Sequence, residues 1–238
     1  MRAFKQTAFA LACIASGLLT GGGQAATLNI GTQSGGSVFR DAAGQNAWYI
    51  GASYTLNGQS RNNIAAGVFR LKATDASTQT TTNFLAFCLS PLAWLRIPLD
   101  YSVGNDLSHA TLNRLSALTN GAWGSITSAK TAGAFQLAVW EIVSESGTNL
   151  NLNNGAFVLT GTSSNAAKRL AQNWLDQVSS QHWSPAPYGI TTLKADNTQH
   201  LLTHDLPDYV APVPLPAGLG LLGMGLAGLF GLRRARRI

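Results

Sequence analysis

The segment 131–143, TAGAFQLAVWEIV, limits the fold more than any other part of the chain. Wound as a helix it is apolar nearly all round, through Phe135, Leu137, Val139, Trp140, Ile142 and Val143. A helix of that kind is wrapped by the rest of its domain rather than laid on the surface. One uncharged polar side chain, Gln136, sits in its middle. A buried carboxamide without partners costs about 1–3 kcal/mol, so Gln136 needs a hydrogen-bonding neighbour, such as a backbone carbonyl, or a chemical role. A second apolar stretch, 83–91, NFLAFCLSP, carries Cys88.

The 238 residues suffice for one domain with a core plus processing segments. A net charge of +6 invites a nucleic-acid reading, but its distribution removes it. Arg2 and Lys5 lie at one extreme, and Arg233, Arg234, Arg236 and Arg237 at the other. The ten basic residues between them face ten acidic ones, so the middle is formally neutral.

The start reads as a secretory signal over residues 1–25. MRAFK supplies a short positive region, residues 7–19 are mostly apolar, and Gly23-Gln24-Ala25 offers small side chains for cleavage before Ala26 or one residue later. Cys13 falls inside this signal and lacks the context of an acylated cysteine. The mature chain therefore keeps one thiol, Cys88, which cannot form an internal disulfide and suggests intermolecular pairing or a reactive group.

The other end, 212–238, has three parts in order: Val213, Pro214, Leu215, Pro216 and Ala217; a Gly/Leu-rich run; and the arginine cluster. Residues 217–232 fall short of the ~20 expected for a comfortable membrane span. Adding Leu215 and letting the arginines reach the interface makes 215–232 an adequate transmembrane helix with its basic end cytoplasmic.

This order resembles the PEP-CTERM class of sorting signal, in its VPLPA variant. The resemblance covers the last 26 residues. It implies a Gram-negative protein exported through the inner membrane and held there by its C-terminal helix. An exosortase-type enzyme in that membrane would then process it for the cell surface or extracellular matrix. Such proteins are often linked to exopolysaccharide and biofilm matrix.

Residues 26–211 read as one extracytoplasmic domain. Aromatic and β-branched residues with partial alternation predict strands over 48–56, 65–73, 83–89 and 97–103, with turns at Asn57-Gly58 and Arg61-Asn62-Asn63. Residues 31–44 are Gly/Ser-rich and 74–82 form a polar loop. Helical spacing predicts helices over 109–119, ending at Asn120-Gly121, within 125–145, starting near Ser128, and over 163–178. Short strands are expected at 156–160, 188–194 and 200–206. The class is α+β. Its N-terminal half is β-rich, sandwich or barrel-like, a helical insertion carries Gln136, and one transmembrane helix ends the chain.

The surroundings of the two singled-out residues, Phe87-Cys88-Leu89 and Phe135-Gln136-Leu137-Ala138-Val139-Trp140, resemble the thioester domains of Gram-positive surface adhesins. There an aromatic-Cys-aliphatic stretch and a hydrophobic-Gln-x-x-hydrophobic-Trp stretch supply the halves of an internal thioester. The Gln-x-Ala core is met by Gln136 and Ala138. Phe135 stands where threonine is common, and the anchoring signal differs from the Gram-positive one. The resemblance implies a Cys88–Gln136 cross-link with Trp140 as a packing residue.

The chemistry is coherent. A thiolate is a good nucleophile, and a carboxamide becomes a usable electrophile when desolvated, polarised and held close. Apolar walls from Phe87, Phe135 and Trp140 would supply proximity and then keep water from the product. Such a group attaches covalently, once, to an amine or hydroxyl on a surface or matrix, so the chain is not expected to be an enzyme. The competing reading is non-covalent binding of matrix polysaccharide through exposed aromatics, Trp94, Trp123 and Trp183.

Other candidates are weaker. His200 and His204, with Asp205 and Asp208, resemble metal ligands by type, but residues four apart in a strand are about 13 Å apart. No metal or cofactor is expected. Glu141 and Glu145 are helix neighbours expected at the solvent end of the central helix, and His109 is a candidate for tuning the thioester. Hydrolase elbows and phosphate loops are absent.

Overall fold

In the strand β1 (Thr27–Thr32), Leu28 and Ile30 alternate with polar residues, and only the aliphatic pair is fully buried. The same alternation recurs in β2 (Tyr49–Leu56), which buries Ile50, Ala52, Tyr54 and Leu56. The computed structural model describes residues 27–206 apart from Ser34, Ala42, Asn105, Pro187 and Tyr188. The expected signal peptide, the motif 213–217, the apolar run 215–232, the terminal arginines and Asp208 lie outside the described residues. Among the described residues no helix is long and apolar enough to cross a membrane.

The remaining strands are β3 (Gln59–Gly67), β4 (Phe69–Asp75), β5 (Thr81–Cys88), β6 (Leu99–Val103), β7 (Phe157–Thr162), β8 (Thr191–Lys194) and β9 (Leu201–Thr203). Six of them close an antiparallel barrel in the order β1-β4-β5-β9-β8-β6, and β3-β2-β7 form a separate three-stranded sheet. Leu28, Ile30, Leu71, Phe84 and Tyr101 are buried from the barrel strands. The expected barrel-like, β-rich half is therefore present, but β8 and β9 from the far end of the chain complete it.

Asn57 and Gly58 turn β2 into β3 with φ of 49° and 80°, the paired positive angles of a two-residue hairpin. Two expectations fail nearby. Arg61-Asn62-Asn63 is not a turn. It lies within β3, where the register with β2 shifts beside Ala52, and Asn63 takes φ 50° while its N–H donates to Ser53 Oγ. The strand expected at 65–73 is two strands. The chain leaves the three-stranded sheet after Gly67, packed so closely on Trp48 and Tyr49 that no side chain fits, and enters the barrel at Phe69.

Three helices, α1 (His109–Ala122), α2 (Ala129–Ser144) and α3 (Asn165–Ser179), flank β7. Each N-terminus is capped by a serine, Ser108, Ser128 and Ser164. At α2 the Thr131 side chain also accepts from the Ser128 N–H and closes a capping box. The helix α1 does not stop at Asn120-Gly121. Gly121 is instead the seat on which Trp183 packs, so this glycine makes room rather than ending the helix. As its composition demands, α2 is buried from Ala132 to Ile142. Gly133 brings it against β2, since a Cβ there would lie 2.6 Å from Ile50 Cγ1.

Candidate functional site

The geometry begins with an interruption in a ladder. On one side β5 pairs with β9, Phe87 opposite Leu202 and Cys88 opposite Leu201, and the Leu89 N–H donates to the His200 carbonyl at 2.8 Å. On the other side β4 starts only at Phe69, opposite Ala86. Beyond that point the chain belongs to β3. Cys88, the last residue of β5, thus has no strand partner there, and an open ladder position inside a core must be filled.

Gln136 fills it. The Cys88 N–H donates to Gln136 Oε1 at 2.8 Å, and Gln136 Nε2 donates to the Cys88 carbonyl at 2.9 Å. The carboxamide reproduces the two-bond exchange of an antiparallel pair. Cys88 and Gln136 are each only 1% exposed, and they are 48 positions apart in sequence.

Cys88 is a free, buried thiol. Burial pushes it up to about 12, opposed by the Trp140 indole and the Ser90 backbone N–H, so it is protonated at neutral pH. Trp140, 2% exposed, packs on Tyr54 and Phe157 with ring centroids 5.1 and 6.2 Å away. Its Nε1 makes no hydrogen bond among the described residues. Tyr54 donates its hydroxyl to the Pro91 carbonyl, and burial holds its phenol well above the usual range. Phe87 and Phe135 stack at 4.5 Å, with Trp123 edge-on to both at 5.6 Å, and brace β5 against α2. Ala138 is fully buried on α2.

The structure thus brings together Cys88, Gln136 and Trp140, with Phe87 and Phe135 as the brace. The sequence reading missed Tyr54 and Ser90. The alternation of β2 marks Tyr54 as core, but nothing in it points toward Cys88. Chemically, the N–H on Gln136 Oε1 is placed to polarise the carbonyl and to stabilise charge on that oxygen if sulfur adds to the carbon.

Glu141 and Glu145 overturn their expected solvent position. Glu141 is fully buried, its Oε1 accepts from the Asn151 N–H at 2.6 Å, and its Oε2 has no partner among the described residues. Glu145 is half-buried and accepts from the Ala156 and Phe157 N–H groups. The chain after α2 folds back over the end of the helix, and these two carboxylates clip it. Burial, reinforced by Glu145 and opposed by the Asn151 N–H, pushes Glu141 up to about 7.

His109 is exposed at the start of α1 and is not part of the buried pair. His204 bonds the Gly189 carbonyl and stacks edge-on to Trp123, while Asp205 accepts from the Leu85 N–H at 2.8 Å. Among the described residues no group of three or more His, Cys, Asp or Glu is placed to hold a metal ion. Of the three tryptophans expected on the surface, only Trp94 is there, 67% exposed. Trp123 and Trp183 are half-buried against the core, because the Trp123 ring meets Phe87 of β5 and Phe135 of α2 and the Trp183 ring packs on Gly121 of α1.

No family model matches the chain, and no curated protein matches it. Among solved structures it is similar to the thioester domain of the Staphylococcus aureus TIE protein, with a TM-score of 0.40 and 10% identity over 76% of this chain and 79% of that one.

Proposed function

We propose that this chain is an exported, surface-associated protein that attaches covalently, once, through an internal thioester between Cys88 and Gln136. The observation that carries the reading is the seating of the Gln136 carboxamide on the Cys88 main chain by hydrogen bonds of 2.8 and 2.9 Å. It holds the electrophile against the main chain of the residue that carries the thiol and gives the carbonyl oxygen a fixed donor before reaction. Sulfur adds to the Gln136 side-chain carbonyl carbon, the thiol proton passes to Nε2, the C–N bond breaks and ammonia leaves. The thioester that remains is shielded, because both residues are buried. Attack by an outside amine or hydroxyl therefore requires local opening of the site. The wider reading adds export by residues 1–25, processing by an exosortase-type enzyme at 213–217, and a matrix or surface target.

Intact mass before and after methylamine tests the thioester. The expected result is a mass lower by one ammonia, regained as a methylamine adduct and abolished by Cys88→Ala or Gln136→Ala. An unmodified mass with a titratable thiol sinks it. The second reading, non-covalent binding of matrix polysaccharide, is favoured by the exposed ring of Trp94 and would then lead.

A further inference from the structure

Gln136 and Trp140 are one helical turn apart on α2, so their side chains share a face. The first is bonded to the Cys88 main chain, and the indole of the second, one turn further along the same face, favours the charged form of the Cys88 thiol. The indole packs on Tyr54 and Phe157, which also touch each other. Indole nitrogen can only donate, yet this one is buried without a hydrogen-bond partner among the described residues. A residue needed only to fill space here could be phenylalanine, which carries no N–H to leave unpaired.

We propose that the Trp140 N–H is a donor to the Cys88 sulfur during thioester formation, acting with the Ser90 N–H while the Cys88 N–H serves the Gln136 oxygen. The inference rests on the Cys88–Gln136 reading above. A neutral thiol is a weak acceptor, so the donor is underused in the resting protein. Negative charge develops on sulfur as its proton is lost, before the forming S–C bond passes that charge to the Gln136 oxygen, and in that interval the same N–H gains a strong acceptor. An interaction stronger in the transition state than in the ground state accelerates the step. The bonds balance as before: S–C forms, C–N breaks, and the thiol proton leaves with ammonia.

The test uses full-length chain recovered unfolded, with Gln136 still an amide, and follows ammonia loss by intact mass on refolding. Trp140→Phe is compared with replacement of Trp140 by benzothienylalanine, which keeps the bicyclic shape and removes only the N–H. Both are expected to slow ammonia loss by about tenfold to a hundredfold, the range for a lost hydrogen bond to a charged group. In a Gln136→Ala background, either change is expected to move the thiolate absorbance midpoint of Cys88 to higher pH, a shift that packing alone would not produce. Equal rates and equal midpoints with the benzothienyl isostere overturn the role of Trp140 and leave the thioester standing. No ammonia loss from the unsubstituted chain overturns both.

Discussion

The side chain of Gln136 occupies the ladder position beside Cys88 that β4 leaves empty, accepting from the Cys88 N–H and donating to its carbonyl. A glutamine on a helix thereby acts as the missing strand residue. The arrangement has a structural consequence whatever chemistry follows. Without Gln136, two main-chain polar groups of Cys88 are buried and unpaired, and each such group costs about 1–3 kcal/mol.

To separate this role from the thioester, the comparison belongs in a Cys88→Ala background, where no cross-link forms. There Gln136→Leu is expected to lower stability by about 2–4 kcal/mol, from two unpaired groups at the lower end of that range. Urea unfolding with an unchanged slope checks it. A loss below about 0.5 kcal/mol would mean that the Cys88 edge finds other partners.

The thiol should be quiet toward outside reagents. Cys88 is 1% exposed and pushed up to about 12 by burial, so at pH 7 the thiolate is present at about one part in a hundred thousand. In Gln136→Ala, alkylation of the native protein by iodoacetamide is expected to be slower than in denaturant by at least about a hundredfold. The native rate should rise roughly tenfold per pH unit between 7 and 9, following the thiolate. A native rate equal to that in denaturant would place the thiol in solvent.

Glu141 makes stability depend on pH in a definite direction. Its folded value is raised from 4.5 to about 7, so the folded state holds the proton more tightly than the unfolded state. Its favourable share is fully present below 4.5 and is lost as pH rises through 7, amounting to about 3 kcal/mol across that window. Glu141→Gln keeps an acceptor for the Asn151 N–H and removes the charge. It is expected to flatten the loss between pH 5 and 8 and to exceed the unsubstituted protein in stability at pH 8 by about 1–3 kcal/mol. Urea midpoints measured across that range decide it. A midpoint for the unsubstituted protein that rises with pH at this site would contradict a carboxyl whose proton burial favours.

Much of this was legible in residue order. The pairing of Cys88 with Gln136, 48 positions apart, comes from a resemblance of motifs, while the all-round apolar α2, its serine cap and the Asn57-Gly58 hairpin rest on local chemistry. Periodicity, caps and turn residues report such chemistry directly. What was missed depends on where the chain goes afterwards. Residues 65–73 look like one strand because both halves suit a sheet, and only the packing of Gly67 on Trp48 and Tyr49 divides them. Glu141 looks exposed until residues 147–156 fold back over it. Tyr54 reaches the Pro91 carbonyl across 37 positions of sequence, a contact that local patterns do not encode, and β1 stands beside a Gly/Ser-rich stretch that hid it.

The distance between Gln136 and Cys88 depends on how closely α2 approaches β2, and Gly133 sets that approach. A Cβ at this position would meet Ile50 Cγ1 at 2.6 Å and Cδ1 at 2.8 Å, separations that require one side to move. Gly133 lies one turn before Gln136, so a helix pushed outward there carries the carboxamide away from the Cys88 main chain. Gly133→Ala is therefore expected to cost about 1–3 kcal/mol, as overpacking does, despite the better helix propensity of alanine. It should also lower the fraction of protein that has lost ammonia. Ile50→Ala removes the obstructing atoms at its own cavity cost. The double variant should therefore recover cross-linking that Gly133→Ala alone loses, with a coupling of at least about 0.5 kcal/mol in a double-mutant cycle. Additive losses with no recovery would show that the close approach of helix and sheet at Gly133 does not govern the alignment of Gln136 with Cys88.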